Sequence, residues 1–255
     1  MNLRFALPLV AALSMGVAVP ASAQFGKPSK ADQVKLGTQA ADEIRKKEKV
    51  LPSYDERVRA VRRIGQSLVN AMDPASRQPW QFSFDVIQSK EVNAFALPGG
   101  PTFVYTGLID KLTTEDQIAG VMAHELTHVR REHWAYQYRD QQQKGLLLNL
   151  GLLVFGANRT TASLANIGLD VLVNLPYSRK HETEADVQGF DLMAKAGYNP
   201  EGMADVFRIL QKSGGSKPPE FLSDHPGDSS RINRIEDMIK KSGKQYPPQK
   251  PITWN

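Results

Sequence analysis

The 255 residues include no cysteine, which excludes a disulfide staple and also lipid attachment at a cysteine behind an export signal. Stability must then come from core packing and from any metal the chain binds. Long apolar runs are missing as well. Neither residues 5–19 nor the richest later stretch, 145–175, which Arg159 and Asp170 interrupt, reaches the roughly 20 apolar residues needed to cross a bilayer. Charge of one sign is also scarce, since 32 Lys and Arg against 27 Asp and Glu leave a net charge of only +5. Runs such as Arg45-Lys46-Lys47 and Arg62-Arg63 read as solvated helix faces, and no nucleic-acid partner is expected.

The start of the chain carries an export pattern. Arg4 precedes the apolar residues 5–19, and Ala21-Ser22-Ala23 has the small-x-small form of a signal-peptidase site. Residues 1–23 are therefore expected to be a cleaved signal peptide rather than a retained anchor. The expected mature chain, residues 24–255, is a single exported domain. Its hydrophobic content, 41% over the whole sequence, is enough for a sizeable core.

Apolar residues recur at helical intervals over 30–49 and 55–72, and these segments are expected to be scaffold helices. From Trp80 the period becomes two: Phe82, Phe84 and Val86 alternate with Gln81, Ser83 and Asp85, as in a half-buried strand. Two further extended segments, 92–97 and 102–106, flank a Pro98-Gly99-Gly100-Pro101 turn. Thr114, with Gln117 three residues on, opens another helix whose apolar positions are Ile118, Val121, Met122, Leu126 and Val129. That helix is expected to run on to about Gln143, with His133 on its surface. A helix capped by Ser178 and stopped by Gly197, another from Pro200 to about Lys212, and a last one over 229–241 complete the pattern. Residues 244–255 are expected to be a disordered tail.

The chemistry sits in His124-Glu125-Leu126-Thr127-His128. Residues four apart on a helix share a face, so His124 and His128 can reach one ion. Glu125 is turned about 100° away, where it can reach a water on that ion but not easily the ion itself. Two histidines, a third ligand from elsewhere and an open position describe a catalytic Zn²⁺ site, one per chain. There Glu125 would act as the base of a peptide hydrolysis. Glu182 and Asp186, again four apart, face one way on the later helix. Glu182 suits the missing ligand and Asp186 the free N–H of a metal-bound imidazole, although alone such a pair is usually just a solvated face. A sheet beside this helix offers an edge to which an extended peptide can add. The 145–175 stretch reads as a helical pair over the cleft, or else as a patch for peripheral membrane contact.

Four segments together carry a resemblance to the HtpX and CAAX-prenyl-endopeptidase group of gluzincin metalloproteases, nearest to its soluble, periplasmic BepA-like branch. They are Asn93-Ala94-Phe95-Ala96-Leu97-Pro98-Gly99-Gly100, the His124 to His128 motif, Ser178-Arg179 followed by Glu182 and Ala185-Asp186, and His225-Pro226 with Arg231-Ile232. The resemblance implies a zincin-like α+β fold, mostly helical with a small sheet. It further implies Zn²⁺ on His124, His128 and Glu182, Glu125 as general base and acid, and Asn93, Ala94 and Phe95 as a substrate strand. His225 would approach the metal and hold the enzyme inactive, or else make only a local contact. Arg231 would orient an oxyanion, or else bridge to an acidic residue. The implied substrates are unfolded or misassembled envelope proteins; the rival functions are a chaperone-like assembly factor with a plugged zinc site and an adaptor with structural zinc. Read to Asn255, the chain is expected to lack both the helical repeats of its larger relatives and the long apolar spans of the membrane-embedded ones.

Overall fold

A computed structural model describes residues 26–153, 172–173, 175–213, 219–225 and 229–254. The proposed signal peptide and residues 154–171 of the apolar stretch lie outside these. Helix α1 (Lys30–Lys47) starts in a capping box in which Ser29 and Asp32 bond each other's backbone N–H groups, and α2 (Glu56–Ala71) follows with an Asp55 cap. A short helix α3 (Pro74–Arg77) leads to strands β1 (Ser83–Ile87), β2 (Ala94–Ala96) and β3 (Pro101–Tyr105). The sheet order is β1-β3-β2, with β1 and β3 parallel and β2 antiparallel to β3 at one edge. At Thr106, where extended chain was expected, a short helix α4 (Thr106–Ile109) begins instead.

Helix α5 (Glu115–Arg130) is the centre of the fold, and every position from Glu115 to Val129 is buried. A helix covered on all sides needs partners on all sides. It finds them in α2, the sheet, and two later helices, α7 (Arg179–Lys195) and α8 (Glu201–Ser213). Between lies α6 (His133–Leu153); α9 (Glu220–Asp224) and α10 (Ser229–Ser242) close the described chain. Gly197, at φ 81°, supplies the left-handed residue that ends α7. Gly120 serves the packing of α5 on α8, because a Cβ there would stand 2.8 Å from Met203 Cα. Gly120→Val should therefore push the two helices apart and cost about 1–3 kcal/mol, read as a lower urea midpoint at unchanged m-value. A change under about 0.5 kcal/mol would contradict this packing argument.

Two clusters sandwich the sheet. Phe84, Val86, Ala94 and Val104 join α2, α5, α7 and α8 in the larger core, while Phe95, Leu97 and Phe103 face Ala40, Ala41 and Ile44 of α1 and Trp134 and Tyr138 of α6. Leu172 and Leu175, at the end of the apolar stretch, are buried in this second cluster. Among the described residues no helix is long and apolar enough to cross a membrane.

Three further expectations are corrected. β1 is not half-buried: Asp85 is buried too, because Arg45 Nη2 (2.8 Å) and Arg62 Nη2 (2.9 Å) pair with it from α1 and α2. The helix of the histidines does not run on to Gln143. It ends at Arg130, and Glu132 adopts φ 57°, held by Lys27 and by Gln33 Nε2 at 2.8 Å on its carboxylate, so α6 sets off in a new direction. Residues 244–254 are not a loose tail. Lys250 N–H donates to Asp116 Oδ2 (2.6 Å), Glu115 N–H to Lys250 O (2.8 Å) and Ile252 N–H to Thr113 O (3.0 Å), while Tyr246 and Ile252 pack on the larger core. Backbone pairing of this kind needs no particular side chains, so a Pro-rich composition does not reveal it.

Candidate metal centre

Helix α5 presents His124 and His128 one turn apart, and α7, packed across it, presents Glu182. The two Nε2 atoms are 3.0 Å apart, and the Glu182 carboxylate lies 3.3 Å from His124 Nε2 and 3.5 Å from His128 Nε2. His225, which follows α9, brings Nδ1 to 3.2 Å from His124 Nε2 and 3.1 Å from Glu182 Oε1. Ligand atoms of these four residues all fall within 4.8 Å of one another, and all four residues are buried.

These groups fit a divalent ion. Metal–ligand bonds of about 2.0–2.1 Å in a tetrahedron place neighbouring donors about 3.3 Å apart, matching the separations above. Imidazole nitrogens and a carboxylate oxygen are also the borderline donors that suit Zn²⁺. Without an ion to share, buried imidazole nitrogens and a carboxylate have little reason to converge so tightly.

The surrounding contacts fix each group. His124 Nδ1 meets Asp186 Oδ1 at 3.2 Å. Arg231 bridges the acids of α7, with Nη1 2.8 Å from Glu182 Oε2 and Nη2 2.6 Å from Asp186 Oδ1, while its guanidinium lies over the Phe207 ring; Arg234 adds a 3.0 Å contact to Asp186. Glu125 points to the strand side. Its Oε2 accepts the Ala96 N–H at 3.0 Å, and its Oε1 makes no hydrogen bond, with His225 Nε2 3.3 Å away. The Ala94 N–H is taken by Asn93 Oδ1 (2.8 Å), and Phe95 stacks on Phe103 in the second cluster rather than facing the cleft.

The electrostatics follow from burial and crowding. Burial opposes the charged form of His124, yet the Glu182 charge and the hydrogen bonds to Asp186 and Glu182 raise it to about 9. His128 is pushed well below its usual value, first by burial and then by the charge of His124. Burial would raise Glu182, but His225 and His124 hold it well down as a carboxylate. Burial raises Glu125, only partly opposed by His225 and His124.

One residue lies where the sequence does not point. His133 is buried, not on the surface, and its Nδ1 is 3.1 Å from His128 Nδ1. Burial and His181, whose ring stacks on it at 4.4 Å, lower its pKa to about 4. A five-residue spacing excludes such contact on a continuous helix, and only the break at Glu132 permits it.

The model of peptidase family M48 matches residues 55–239. The chain is 30% identical over 222 residues to Metalloprotease LoiP of Escherichia coli (strain K12), covering 83% of this chain and 82% of that protein. It is 30% identical over 197 residues to the Mitochondrial metalloendopeptidase OMA1 of Schizosaccharomyces pombe, covering 76% and 57% of the two chains. It is also 30% identical over 183 residues to the Beta-barrel assembly-enhancing protease of Escherichia coli (strain K12), covering 65% of this chain but only 37% of that protein.

Proposed function

The chain belongs to peptidase family M48 and is a metalloprotease, and from that premise we propose a zinc-dependent endopeptidase that removes unfolded or misassembled proteins of a bacterial cell envelope. One observation carries the reading: two imidazoles of α5 and a carboxylate of α7 converge at 3.0–3.5 Å beside a buried acid that is not part of the cluster. His124, His128 and Glu182 would hold the ion, which when bound supplies a Lewis acid that acidifies water and polarises a peptide carbonyl. Glu125, held at Oε2 by the strand and free of hydrogen bonds at Oε1, takes the proton of the attacking water and passes it to the leaving amine. Its buried setting favours the acid form and so makes it a stronger base than a solvated carboxylate. Asp186 accepts from His124 Nδ1 and fixes that ring. The edge position of β2 suits an extended polypeptide, which reads main chain more than side chains. Residues 1–23 support delivery to the periplasm, and the name of the assembly-enhancing relative agrees with an envelope substrate.

Purified protein is expected to carry about one zinc per chain and to digest casein. A chelator should stop the digestion, and added Zn²⁺ should restore it. Cleavage that survives chelation would end the metallopeptidase reading for this site.

A second reading rests on His225, whose place beside the three ligands lets it occupy the fourth position. Plugged in that way, the protein would act chiefly as an assembly factor that binds unfolded chains. His225→Ala should then raise casein turnover severalfold; unchanged turnover would leave His225 a local packing contact.

A further inference from the structure

We propose that His133 is a positioning residue for His128, and that Glu184 selects the His133 tautomer which makes this possible. The inference rests on His128 being a metal ligand, as proposed above. His128 directs Nε2 at Glu182 and His124, so its Nδ1 is left to carry the proton and needs an acceptor. Among the described residues its partner, at 3.1 Å, is neither a carboxylate nor a carbonyl but another imidazole nitrogen, His133 Nδ1. Two imidazole nitrogens can bond only when one lacks a proton. His133 must therefore be the Nε2–H form, and that proton faces Glu184 Oε2 at 3.4 Å. Arg131 takes the other oxygen of the same carboxylate, which leaves Glu184 Oε2 as an acceptor. His128 Nδ1–H thus donates to His133 Nδ1, His133 Nε2–H donates to Glu184 Oε2, and Arg131 donates to Glu184 Oε1, without a conflict at any nitrogen.

The backbone and the rings hold this chain in place. Glu132 in its left-handed conformation begins α6 with His133 turned back on α5, and His133 lies between the ring of His181 (4.4 Å) and the edge of His128 (4.9 Å). Tyr177 covers the other side of His128 at 3.9 Å between centroids. His128 is therefore fixed both in the plane of its ring and in its tautomer.

The test measures Zn²⁺ affinity by competition with a chromogenic chelator, with His128→Ala as the reference. His133→Leu removes the acceptor and should weaken Zn²⁺ binding 10- to 100-fold. His133→Asn, whose side-chain oxygen can take the place of Nδ1, should recover most of the loss. Glu184→Gln should also weaken binding, because Arg131 claims the amide oxygen and the NH₂ then favours the wrong tautomer of His133. Should His128→Ala bind like the parent, the ligand assignment itself fails. Should His128→Ala lose Zn²⁺ while His133→Leu stays within about twofold of the parent, the ligand assignment stands and the positioning role is overturned. The unsubstituted protein gives a reading that needs no variant to fold: ¹⁵N NMR of the Zn²⁺-loaded protein should show protons on His128 Nδ1 and His133 Nε2, and a proton on His133 Nδ1 would overturn the proposal.

Discussion

Glu125→Gln is expected to lower casein cleavage by a factor of about 10²–10⁴ while leaving zinc content unchanged and thermal stability equal or higher. The three effects share one cause. The glutamine keeps the shape and still accepts the Ala96 N–H, which Glu125 Oε2 now takes at 3.0 Å. It has no basic oxygen to receive a proton, so the transfer to and from the reacting water is lost. Glu125 is also outside the candidate metal-binding group, so the proposed donor set is untouched. Stability should not fall, because the parent keeps a buried carboxylate whose Oε1 has no hydrogen bond, an arrangement that costs folding energy. His124→Ala is the contrast, since it should lose metal and activity together. Glu125→Gln retaining cleavage within about threefold of the parent would remove Glu125 from the mechanism. Unchanged envelope phenotypes in this variant would favour the assembly-factor reading instead.

Arg231→Met should be the most destabilising single change near the site, by about 3–5 kcal/mol. Arg231, itself buried, touches two buried carboxylates, Glu182 at 2.8 Å and Asp186 at 2.6 Å. Methionine fills similar volume but leaves Glu182 without its guanidinium and Asp186 with only Arg234 and His124. Leaving charges buried and uncompensated is what makes breaking such a network costly, and the contact with the Phe207 ring is lost as well. Urea unfolding reads the effect, and in a chain of this size the melting temperature should fall by roughly 6–20 °C. Adding Asp186→Asn should recover part of the loss, because the two sites are in contact and their effects do not add. A loss below about 1 kcal/mol would mean the acids are satisfied by other groups.

The metal helix was legible because its chemistry is local. Spacing of four residues fixes His124 and His128 on one face whatever the rest of the chain does, and the same holds for Glu182 and Asp186. That the two pairs meet depends on tertiary packing of α5 against α7. Periodicity cannot supply that, and the resemblance of separated motifs did. Other features were hidden for physical reasons. Alternation along β1 signalled one wet face, but Arg45 and Arg62 satisfy Asp85 from 40 and 23 residues away. The turn after Arg130 has neither Gly nor Pro, and a glutamate takes the left-handed conformation that punctuation residues usually mark. Without that turn, spacing puts His133 on the far side of one continuous helix, whereas it is the first residue of α6.

Asp116, in the first turn of α5, receives the backbone amide of Asn199 on one oxygen and that of Lys250 on the other, each at 2.6 Å. Two remote stretches of chain are thereby clasped to the start of the rod that bears the paired histidines eight and twelve residues further along. Sliding that rod along its axis would tear both clasps at once, so the axial position of the paired histidines is set by bonds made about two and three turns away from them.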